Sequence, residues 1–152
     1  MTTSLEDELA EPGPILDKDY LIKQLRQSLQ ANIFTGRLRI TPHRVNQVAA
    51  EVAVSFLEFR DREQEAAVYH YGERLAEEGV GHRAVLSLAE TLRRVAWESS
   101  NAADSGDPAA GRYVFALLAG YMAGREAYLL AEQARAHRAL ERARERNGTE
   151  VP

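Results

Sequence analysis

The chain predicts an all-α fold, a globin-like or helical-bundle domain of about five helices with a long last one. Three observations carry this. Apolar residues recur at helical spacing in five separate segments, no run alternates with the period of a strand, and helix start and stop signals flank the segments. At 152 residues the simplest organisation is a lead over 1–16, one domain over 17–146 and a short tail over 147–152. Pro12, Gly13 and Pro14 close the lead, which is expected to be flexible.

The first helix is expected from Asp17 to Phe34, with Leu21, Ile22, Leu25, Leu29 and Ile33 on one stripe and Gly36 as its stop. "TGRLRI" then reads as a connector. Thr41-Pro42 starts the second helix: a hydroxyl caps free N–H groups, and proline sits where its missing N–H costs nothing. Val45, Val48, Val52, Phe56 and Phe59 give it one apolar face as far as about Arg60. The third helix covers about Arg62 to Glu78, with Val68, Tyr71, Gly72 and Leu75 inward, and Gly79 stops it. The fourth runs from His82 to Ser99 on Val85, Leu88, Leu92, Val95 and Ala96. "SSNAADSGDPAAG" has the composition of a loop. The fifth starts near Pro108 and meets no stop before Asn147-Gly148. Such a rod is roughly 57 Å long, against a radius of gyration near 15 Å for a domain of this size. Its C-terminal half is therefore expected to protrude, bend or pair with another chain.

The most apolar stretch, "YVFALLAGYMAGREAYLL", lies in this last helix and has two apolar faces. One is large: Val114, Leu117, Leu118, Tyr121, Tyr128. The other is small: Ala116, Gly120, Ala123, Gly124, Ala127, Ala131. Two helical glycines cost about 1 kcal/mol each relative to alanine, so close approach by another helix is expected to offset them. That neighbour is either a core helix or the last helix of a second copy. The second choice makes these six residues a homodimer interface. Arg125 and Glu126 interrupt the run short of the roughly 20 apolar residues that span a bilayer, so no membrane span is expected.

Composition narrows the chemistry. There are no cysteines, which removes disulfides, thiolate nucleophiles and cysteine zinc sites. The net charge is −4 and the arginines of the last helix alternate with glutamates, the wrong texture for nucleic acid. No secretory signal opens the chain, so a cytoplasmic location is expected. The four histidines fall on four segments, and no metal site is expected. A haem ligand would have to be His70, which points about 100° away from the inward Tyr71, so no haem or other cofactor is expected. No carboxylate pair lies in an apolar setting and no serine has a nucleophile-elbow context, so no enzyme is expected. The alternative function is a carrier or sensor of an apolar or haem-like ligand, with an apolar interhelical pocket expected around Tyr71, Trp97, Tyr121 and Arg125 and the arginine facing an anionic head group. The competing reading makes the tyrosines core and lets Arg125 reach water along its own stem.

The order of segments carries a resemblance. "TPHRVNQVAAEVAVSFLEF" is followed by "YGERLAEEGVGHRAVLSLAETLRRVAW" and by a long helix ending "LLAEQARAHRALERARER". With the Gly79–Arg83 turn, this resembles the N-terminal sensor region of bacterial stressosome co-antagonist proteins of the RsbR type. The resemblance covers about Asp17 to Arg146. It implies a globin-like fold without haem, dimerisation through helices, and a signal passed along the last helix to a signalling partner or output domain. No ligand residues carry over from it.

Overall fold

The computed structural model describes residues 16–33, 41–99 and 107–149. They form α1 (Lys18–Ile33), α2 (Pro42–Arg62), α3 (Glu65–Glu77), α4 (His82–Ser99) and α5 (Pro108–Thr149). The fold is all-helical, with no strand among the described residues and a long C-terminal helix, as the periodicity predicts. The lead up to residue 15, the Gly36 stop, "TGRLRI" and the tail from residue 150 lie outside the described residues, as does the α4–α5 loop between residues 100 and 106.

α1 lies across α2 and α4, burying Leu21, Leu25 and Leu29 completely. α2 begins as expected: the Thr41 hydroxyl accepts from the Arg44 N–H at 3.2 Å, and Pro42 follows it. Its inward face is Val45, Val48, Val52, Phe56 and Phe59. Tyr113 of α5 is fully buried beside the last two, with ring centroids 5.3 Å from Phe56 and 5.7 Å from Phe59 in edge-to-face geometry.

α2 runs two residues past the expected end. Glu63, at φ 50° and ψ 36°, then closes it through a left-handed turn, donating its N–H to the Phe59 carbonyl at 2.8 Å. No glycine marks this break. The Glu63 side chain instead pairs with Arg112 at the base of α5. α3 ends in the two hydrogen bonds of a Schellman turn. The Val80 N–H bonds to the Leu75 carbonyl and the Gly79 N–H to Ala76, both at 3.1 Å, with Gly79 at φ +85°. Val80 is thereby buried against the core.

α3 and α5 make the most extensive helix pair, and α5 also touches α4 and α2. Beyond Gly124, every described residue of α5 is exposed except Glu132, which is half-buried. The last 25 residues, about 37 Å of helix, therefore stand clear of the body. Asn147 and Gly148 do not stop the helix, which reaches Thr149.

Candidate functional site: the two sides of the long helix

The small-residue face of α5 is covered by α3. A methyl group on Gly120 would lie 1.9 Å from the Tyr69 carbonyl oxygen, and one on Gly72 would lie 2.3 Å from that of Leu117. The two backbones thus touch along their length, with Gly124 seated on Glu73. Of the six residues named for a dimer interface, Ala116, Gly120 and Gly124 are buried, Ala123 is half-buried, and Ala127 and Ala131 are exposed on the projecting part. The neighbour of Gly120 and Gly124 is thus a core helix of the same chain. Close approach of glycine-bearing backbones serves a core and a dimer equally well, so residue type alone left the choice open.

The opposite side of α5 is uncovered. Phe115 is 77% exposed and Met122 69%, and Leu129 follows at the same spacing of seven. Across a groove, α4 presents Trp97 at 62% and Leu86 at 52%. The groove, of about 770 Å³, runs between α4 and the first part of α5, over Val114 and Leu118. Glu90 and Arg93 line its α4 side. Large apolar side chains exposed this far beside one groove mark a surface that a protein normally covers. The seven-residue series Phe115, Met122, Leu129, Ala136, Ala143 was visible in the sequence. It was masked there because Phe115 and Met122 belong to neither of the two faces assigned to the apolar stretch. α5 as a whole meets the length and composition of a membrane-crossing helix, although a third of the qualifying window is buried in the chain. The expected shortfall held for the uninterrupted apolar run, not for the whole helix.

The four residues named for a pocket do not converge. Tyr71 is buried between α3 and α2, where its hydroxyl donates to Glu51 at 3.1 Å. Burial, followed by the Glu51 charge, pushes this phenol well above the usual tyrosine range. Tyr71 is neutral in the folded chain below the ordinary tyrosine range, and the stability it contributes is lost only as pH rises beyond that range. Arg44 completes the arrangement, donating to Glu51 at 2.9 Å and to both oxygens of Glu78 at 2.8 and 2.7 Å. These groups clamp α2 to the end of α3. Trp97 lies in the α4–α5 groove instead.

Tyr121 and Arg125 do meet, in a cleft of about 570 Å³ under the α3–α4 turn, with Tyr128, Leu129, His82, Arg83 and Asn32 around them. The Tyr121 hydroxyl donates to the Val80 carbonyl at 2.5 Å and accepts from Arg125 at 3.2 Å. The Tyr121 hydroxyl thus holds Arg125 at the cleft. His70, the one haem candidate, is exposed and sits 3.0 Å from Glu73. Among the described residues no group of three or more His, Asp or Glu side chains is placed to hold a metal ion. Comparisons with family models, with curated proteins and with solved structures return no match for the chain.

Proposed function

We propose that the protein is a non-enzymatic regulatory input module of bacterial signal transduction, of the stress-response type, that forms a homodimer through its long last helix. In this reading α5 relays a signal from the helical body to a signalling partner or output domain, in the cytoplasm. The observation that carries it is the uncovered apolar series on α5, which begins on the body at Phe115 and continues past the last supported turn. A helix of this length standing free in water is marginal by itself, since helices draw most of their stability from packing. A second copy offers the same series and would remove it from solvent. The resemblance of segment order to stressosome sensor regions supports the same reading. Lipid is a poorer match than protein, because Arg125 and Glu126 interrupt the apolar stretch and arginines crowd the end of the helix.

The cleft at Tyr121 and Arg125 supports a second reading, a sensor for a small anionic ligand. It adjoins Tyr128 and Leu129, where α5 leaves the body, so an occupant there would touch the start of the relay.

Amide hydrogen exchange tests the first reading. Peptides covering residues 127–149 are expected to exchange at least tenfold more slowly at high micromolar than at submicromolar protein, since protection follows from pairing. Fast exchange at every concentration would contradict it.

A further inference from the structure

We infer that the groove between α4 and α5 holds the projecting end of a second copy's α5, with the two long helices antiparallel about Leu129. The inference rests on the dimer reading above and adds its surface and polarity. An antiparallel pair centred on Leu129 sets the partner's Ala143 against Phe115 and the partner's Ala136 against Met122. Each large exposed side chain on the body then meets a small one on the arriving helix, and Leu118 meets the partner's Leu140. A parallel pair would instead stack Phe115 on its own copy and leave alanine facing alanine along the projecting parts, which buries little.

Charge agrees with this register. α4 runs back along α5, so the groove places Leu86 and Leu118 towards one end and Trp97 and Gly111 towards the other, with Arg93 near the latter. The arriving helix brings the partner's Glu145 to the level of Arg93. It brings the partner's Arg142 and Arg144 to the level of Glu90, so Glu90 and Arg93 each meet an opposite charge, while Arg94 and Asp107, the other charges of the groove, pair within the chain with Glu98 and Arg60. Arg93 has no partner within the chain among the described residues. From Phe115 to Ala143 the series is about 42 Å long on a rod about 10 Å wide, a footprint of roughly 420 Å². This is about half of the roughly 800 Å² per partner of a standard interface, and Leu86 and Trp97 on the groove walls add to it.

Because the chain has no cysteine, single introduced thiols report the register directly. Leu129, Met122 and Ala136 are all exposed on the chain, so the substitutions spare the core. With oxidised glutathione as oxidant, Leu129→Cys is expected to form a disulfide-linked dimer in high yield, and Ala136→Cys by itself to form almost none. A mixture of Met122→Cys and Ala136→Cys is expected to give the mixed dimer. Self-linking by both Leu129→Cys and Ala136→Cys would show a parallel pair and overturn the inference. A dimer by sedimentation with no linking at any of these sites would place the interface elsewhere, overturning the inference while leaving the dimer standing. An unmodified chain that sediments only as monomer would sink both.

Discussion

Gly120→Ala is expected to destabilise the fold by about 3 kcal/mol or more, in spite of alanine's better helix propensity. The new methyl would lie 1.9 Å from the Tyr69 carbonyl oxygen and 2.7 Å from its carbon. Both are backbone atoms in the middle of α3, so no side-chain rotation relieves the overlap. The helices must separate, and separation opens the contact that also carries Gly72, Leu117 and Tyr121. Propensity favours alanine by about 1 kcal/mol, and the steric cost exceeds it several-fold. A thermal melt followed by circular dichroism should fall by roughly 10 °C, at 2–4 °C per kcal/mol for a chain of this size. Gly111→Ala supplies the contrast, since a methyl there meets nothing within 4 Å and α5 should gain slightly. Equal melts for the two variants would mean that α3 does not rest on α5 as described.

The pair Phe115→Glu with Met122→Glu is expected to weaken self-association by at least a hundredfold and to leave the monomer's stability within about 0.5 kcal/mol. Both side chains are more than two-thirds exposed on the single chain, so the body loses almost no packing. In the dimer the same positions are covered, and four carboxylates would replace the large apolar side chains that fill the seam, each losing its hydration on burial. The two variants therefore separate the two sides of α5. Damage on the glycine side should unfold the chain, and damage on the Phe115 side should only dissociate it. Loss of helicity in the second variant would show that these residues serve the core.

Most of the fold was legible in the sequence because each helix carries its own signals. Thr41-Pro42 caps α2, Gly79 ends α3, and Leu21, Leu25 and Leu29 repeat at the spacing that α1 buries. The Glu63–Gln64 break was not legible, because a glutamate takes the left-handed turn that glycine usually marks. Nor could composition choose the neighbour of Gly120 and Gly124. The answer lay in Gly72, one residue within an otherwise ordinary amphipathic segment, which lets α3 come down to touching distance. The proposed pocket divided for a different reason. Tyr71, Trp97 and Tyr121 sit on three helices whose rotations about their axes depend on tertiary packing, and the sequence does not encode those rotations locally. Only Tyr121 and Arg125, four residues apart on one helix, were certain to be neighbours.

Sedimentation equilibrium of the unmodified chain at micromolar concentration tests most directly whether α5 pairs with its own copy. The account predicts a mass of twice the 17.0 kDa of one chain, falling toward a single chain on dilution. A mass of 17.0 kDa throughout the micromolar range would contradict it.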